Sequence, residues 1–229
     1  MMNKINNKLF YIIVILIIIV LAVFYFTKNN FDIVNNTEQG LFLEVNMSEE
    51  ARKDFEDRRD KNLSDLELFP GNYTSYLDLG NIERELGNAT QAIEYFKQAS
   101  ELIPTNSTPW LNIGNVYYRL AMYDETIASF EVARSLSDTY YLVYFNLAKV
   151  YKAQDYNNTQ RVMDIFEEGI VKTNNDYQLI YFYSSYLREM ANNEKALEYL
   201  QLFVEHAPEQ EMKDLVNLEI EEVRGLLGQ

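Results

Sequence analysis

The chain has 229 residues, no Cys, a single His and a formal net charge of -15. Without Cys it forms no disulfide, thiolate metal site or cysteine nucleophile, and His206 alone cannot supply a His-based zinc site. The eight glycines never form a phosphate-cradling loop, and the acidic balance repels nucleic acid. No cofactor, metal or small-molecule substrate is expected, and the composition points to a binding role, not an enzyme.

Residues 1–8 read as a cytoplasmic stub and residues 9–26 (LFYIIVILIIIVLAVFYF) as a transmembrane helix. The stretch carries no charge, and eighteen helical residues span about 27 Å, close to the hydrocarbon thickness of a bilayer. Tyr11 and Tyr25 lie near its ends, where amphipathic rings favour the interface. A cleaved signal peptide is the competing reading, but the exit FYFTK lacks the small residues of a cleavage site. Lys4, Lys8 and the amino terminus precede the span and only Lys28 lies close behind it, followed by Asp32, Glu38 and Glu44, so the positive-inside bias places the N-terminus in the cytoplasm. The expected location is a single-pass membrane protein with everything after residue 26 outside the cytoplasm.

Residues 27–47 read as a spacer. Ser48 followed by Glu49 and Glu50 has the composition of a helix start, and LSDLELFP resembles the last turns of a helix. Residues 48–70 are therefore predicted to be an N-terminal capping helix.

From there the chain repeats itself. A shift of 34 brings Tyr76, Leu79, Gly80, Ala92, Phe96, Ala99 and Pro104 onto Trp110, Ile113, Gly114, Thr126, Phe130, Ala133 and Asp138. A third copy carries Tyr144, Leu147, Ala148 and Tyr151, then Phe166 and Gly169 after two extra residues near Asp155. A fourth aligns Ala196, Leu200 and Pro208, with Tyr183-Ser184 in place of Leu-Gly. This pattern resembles the tetratricopeptide repeat (TPR), a 34-residue helix-turn-helix unit. The resemblance implies an all-α, right-handed solenoid of helical hairpins over 71–208, in four repeats: 73–106, 107–140, 141–176 and 177–208. Gly80 and Gly114 would let paired helices approach closely, and Pro104 would end a helix. Beyond Pro208, Met212, Leu215, Val216, Ile220, Val223 and Leu227 recur at helical spacing, which predicts a capping helix over 209–229.

In this family the first helix of each repeat lines a concave groove that takes a protein segment or an extended peptide. Carried over by position, the groove would include Asn81 and Arg84, then Asn112, Asn115, Tyr118 and Arg119. The third copy adds Phe145, Asn146, Lys149 and Lys152, and the fourth Tyr181, Phe182 and Arg188. Members that clamp a C-terminal carboxylate use two Asn with Lys and Arg. Asn81 and Asn112 match the two Asn, but the basic positions hold Leu77, Leu142 and Asn146. What remains is a row of Asn able to donate and accept along a peptide backbone, or simply a solvated polar strip.

Seven triplets fit the acceptor pattern for N-linked sugar, at Asn35, Asn46, Asn62, Asn72, Asn88, Asn106 and Asn157. Roughly two would arise by chance in so Asn-rich a chain. Sugars would agree with an exported location, whereas Asn88 with Gln91 also resembles a helix capping box. The sequence thus predicts a membrane-anchored scaffold displaying its repeats outside the cytoplasm, of the kind that serves export or envelope-assembly complexes. The alternative is a membrane-tethered receptor or assembly factor with its repeats in the cytoplasm.

Overall fold

A computed structural model describes residues 40–155 and 157–228. The stub, the span at 9–26, the first part of the spacer and Asn35 lie outside the described residues. Among the described residues no helix is long and apolar enough to cross a membrane.

Ten helices account for nearly all of the described chain: α1 (Glu49–Leu68), α2 (Tyr73–Leu86), α3 (Ala89–Leu102), α4 (Thr108–Arg119), α5 (Tyr123–Leu136), α6 (Tyr141–Gln154), α7 (Thr159–Lys172), α8 (Tyr177–Glu189), α9 (Asn193–His206) and α10 (Gln210–Leu227). Each packs against its neighbours in sequence, and first helices also touch across repeats, as α6 touches α8. The result is an all-α solenoid of four hairpins, α2–α3, α4–α5, α6–α7 and α8–α9, with a helix at each end. Local chemistry sets several boundaries. Ser48 Oγ accepts from the Ala51 amide, Asn72 Oδ1 from Ser75, and Asp176 Oδ1 from Gln178 and Leu179, each satisfying amides left open at a helix start. Gly87, Ala121 and Ala191 turn three of the hairpins in the left-handed conformation, at φ 92°, 56° and 55°.

The contact that joins the two helices of a hairpin is steric. A Cβ on Gly80 would stand 2.5–2.8 Å from the ring of Phe96, and one on Gly114 would stand 2.5 Å from Cδ1 of Phe130. Both rings are buried against the bare backbone. Ala148 and Ser184 take the same place in the later hairpins, opposite Phe166 and Leu200, and all four are buried. Thr126, where the repeat pattern has Ala, is fully buried, but its hydroxyl donates to the Met122 carbonyl at 2.7 Å, so the polar atom is satisfied.

The N-terminal end departs from expectation. Helix α1 buries no residue fully. The first hairpin is instead covered by residues 40–45, the end of the stretch predicted to be a spacer. Leu41, Leu43 and Val45 turn inward onto the cluster of Ala89, Ile93 and Phe96, while Phe42, Glu44 and Asn46 face out. The Leu43 amide donates to the Gly87 carbonyl at 2.8 Å, and Thr90 donates its amide to Leu41 O. The Leu41 amide in turn donates to Thr90 Oγ1 at 2.5 Å. This strap is an extended segment hydrogen-bonded across the α2–α3 turn, with Phe42 and Asn88 paired antiparallel.

The strap changes the meaning of Asn88-Ala89-Thr90. Asn88 Nδ2 donates to Glu83 Oε2 at 2.6 Å, and Glu83 is 4% exposed. Glu83 stands where the repeat usually has Tyr, and Asn88 is its partner. The Asn88 side chain makes no cap to its own helix, so the capping-box reading fails. An N-linked sugar here would have to replace one of the two Nδ2 hydrogens of a half-buried side chain held against Glu83. Asn88 is a structural residue of the turn.

Two expectations follow for stability. Gly114→Leu should overpack the α4–α5 contact and cost about 1–3 kcal/mol in urea unfolding, whereas Asn115→Ala, one residue on, should leave the midpoint nearly unchanged. Asn88→Ala, made in a host that adds no N-glycans, should cost about 1–3 kcal/mol because Glu83 is left buried without a donor. Thr90→Ser, which keeps the hydroxyl, should be close to wild type in the same assay.

Candidate peptide-binding groove

The first helices α2, α4, α6 and α8 place their mid-helix polar residues on one side of the solenoid. Asn81, Asn112, Asn115 and Asn146 are half-buried there, and none of their side-chain amides has a partner among the described residues. Asn112 sits between buried Leu111 and Ile113, and each of the others is followed or preceded by a buried apolar residue, so the helix itself fixes the direction in which the amide points.

Around Asn115 the face is basic. Arg84, Tyr118, Arg119 and Lys149, brought from α2, α4 and α6, enclose an open cavity of about 340 Å³ with Asn115 and Glu85. Lys149 Nζ lies 4.3 Å from the Tyr118 ring centroid, a cation–π contact that leaves the ammonium free to pair. Arg84 meets Glu85 at 3.1 Å, so three cations there face one carboxylate. Burial, with Tyr123 adding to it, pushes the Tyr118 phenol above its ordinary value and keeps it a neutral hydrogen-bonding group.

The C-terminal half of the same face differs from the sequence expectation. Lys152, predicted as a groove cation, donates to both carboxylate oxygens of Glu189. Arg188, predicted likewise, donates to Glu219 at 2.6 Å and to Glu222 at 2.9 Å, both on the terminal helix α10. Tyr181 donates its hydroxyl to Glu219 at 2.9 Å. These two cations are thus taken up by neighbouring helices, because a helix packed at each repeat interface brings acids within reach of them. What is left there is aromatic: half-buried Phe145 and Phe182 lie with centroids 4.2 Å apart and ring planes tilted by 32°. Beyond them Tyr177, Tyr181 and Phe182 line an apolar cleft of about 430 Å³, closed on its far side by Met212, Leu215 and Val216 of α10. The helical spacing of Met212, Leu215 and Val216 is visible in the sequence. That they are shared between cap and cleft is not.

The remaining sugar-acceptor candidates divide by environment. Asn46 is exposed. Asn157 is also exposed and tied to Asp155 Oδ1 through its amide nitrogens. Asn72 and Asn106 use Oδ1 to hold the amides of Ser75 and Thr108. Asn62 lies within α1 and donates Nδ2 to the Arg58 carbonyl.

Comparison with known proteins agrees with this geometry. Residues 80–120, from the close-packed Gly80 through α4, match a family model described as TPR repeat. The crystal structure of MamA is 18% identical, with a TM-score of 0.52 over 70% of this chain and 95% of that one. A thermophilic TPR protein from Thermus thermophilus is 12% identical, with a TM-score of 0.54 over 74% of this chain and 90% of that one. At such identities the likeness is one of fold. No curated protein matches the sequence. The chain folds as a TPR solenoid, an architecture suited to holding proteins or peptides.

The two classes of groove cation should separate experimentally. Arg188→Ala frees two carboxylates and loosens α10, so it should cost about 1 kcal/mol in urea unfolding. Arg119→Ala, exposed and without an ion pair among the described residues, should leave the midpoint where it was.

Proposed function

We propose that the chain is a membrane-anchored TPR scaffold with no catalytic role, which holds an extended segment of a protein partner along the groove. The observation that carries this reading is the row of four unpartnered Asn amides leading into a cavity with three cations, in a chain of net charge -15. Spaced amides can pair with an extended backbone irrespective of its side chains, and the local positive charge favours an acidic segment. In the same proposal residues 9–26 anchor the chain, Lys4 and Lys8 hold its N-terminus in the cytoplasm, and the solenoid works outside as part of an export or envelope-assembly complex. A second reading places the repeats in the cytoplasm. It gains from Asn88, whose hydrogen bond to Glu83 gives that residue a role in the fold independent of any sugar.

Two measurements test the proposal in native membranes. Protease added to intact cells or spheroplasts should digest residues 48–229, and full protection until lysis would establish the cytoplasmic reading. A photocrosslinker at Asn115 should capture one partner, and Asn112→Ala with Asn146→Ala should weaken capture about tenfold or more, as loss of two amide hydrogen bonds requires. Capture unaffected by the double change, in a chain that remains folded, would move the binding surface off the groove.

A further inference from the structure

The groove has a polarity. Its cations Arg84, Arg119 and Lys149 all gather at α2, α4 and α6, where Glu85, paired with Arg84, is the one carboxylate on the cavity. Its later cations, Lys152 and Arg188, are neutralised by Glu189, Glu219 and Glu222. An acidic group on a ligand therefore finds unpaired positive charge at one end and carboxylates at the other. The carboxylate-rich end is also where the large apolar cleft opens, between α8 and the terminal helix. Leu215 stands on its wall 61% exposed, and Tyr181 and Phe182 continue its surface into the aromatic strip. A site that repels acids and presents exposed aliphatic and aromatic surface takes a bulky apolar side chain.

We infer that the groove recognises a bipartite segment of a protein partner: an acidic residue in the Arg84–Arg119–Lys149 cavity and a large apolar anchor in the cleft between α8 and α10. This rests on the groove being the binding face and adds which segment it selects. The cavity centres on α4 and the cleft lies between α8 and α10, about two and a half helix spacings apart, or roughly 25 Å at about 10 Å per spacing. An extended chain advances about 3.3 Å per residue, so the two features of the ligand stand about seven or eight residues apart. Since the two ends differ in chemistry, only one chain direction places both correctly. The terminal helix is then part of the binding site as well as a lid on the solenoid.

The test uses the full chain in lipid nanodiscs and dye-labelled synthetic peptides. Each peptide carries an Asp-Asp pair and one Trp, separated by two to twelve Ser-Gly residues, in both orders. Binding should be tightest near seven or eight residues of separation, in one order only, and at least fivefold tighter than for the same peptide with Trp replaced by Ser. Leu215→Lys, at an exposed position, should abolish the Trp effect while leaving the Asp dependence intact. Arg119→Glu with Lys149→Glu should do the reverse. An affinity that depends on Asp but ignores Trp and spacing would overturn this inference while leaving the groove proposal standing. A Trp effect that survives Leu215→Lys would overturn it as well. An affinity indifferent to Asp, Trp and the charge reversals together would overturn both.

Discussion

The solenoid depends on how closely the two helices of each hairpin approach. That approach is decided where Phe96 and Phe130 lie on the bare backbone of Gly80 and Gly114. A side chain at the small position would push the helices apart, and the ring would lose its contacts on one side. Repeating the contact every 34 residues carries the same hairpin geometry forward, so each unit stacks on the last in a single curved array. The contact tolerates Ala148 and Ser184, whose extra atoms are small, and Ser184 returns its hydroxyl to the Tyr181 carbonyl at 2.8 Å. In the fourth hairpin the large Tyr183 is fully buried, and its hydroxyl donates to Glu167 at 2.6 Å. Burial opposes ionisation of Glu167, but hydrogen bonds from Lys195 and Tyr183 outweigh it and hold the carboxyl below its ordinary range. A network drawn from α7, α8 and α9 thus binds the last two hairpins together.

An array of this kind has two open ends, and this chain closes them by different physics. At the C-terminus α10 buries Val216, Ile220 and Val223 against the last hairpin and adds the carboxylates that hold Arg188. At the N-terminus α1 packs on α2 without burying any residue fully, and the extended strap adds apolar cover over the α2–α3 turn and α3. Gly87 makes this possible twice over. It permits the left-handed turn, and a Cβ there would stand 2.9 Å from the Leu43 carbonyl. The strap, the turn and the buried Glu83–Asn88 pair form one unit.

The face used for binding inherits its asymmetry from that capping. Interior repeats meet other repeats, and Arg119 of the second and Lys149 of the third remain available. Lys152 and Arg188 meet Glu189 and the acidic terminal helix, so they are neutralised and the half-buried aromatic residues beside them become the accessible feature. Ion pairs of this exposure add little stability individually. Their consequence lies in the distribution of charge that they leave on the groove.

The sequence alone determined the hairpins, because small and aromatic residues at a 34-residue period can bury themselves in only one arrangement of paired helices. The strap reads as a spacer in the sequence, although Leu41, Leu43 and Val45 do alternate with Phe42, Glu44 and Asn46 in the two-residue period of an extended segment. That alternation covers too few residues to identify a partner across a gap of more than forty. Only the tertiary structure paired Asn88 with Glu83, since an acceptor triplet does not say what its Asn touches. It also decided which cations of the groove are free. The position of Arg188 in its repeat says that it faces the groove, but whether it reaches a ligand depends on Glu219, 31 residues on, and on the packing that brings α10 beside α8. Periodicity records which face a residue occupies. Pairing between faces is settled only when the helices meet.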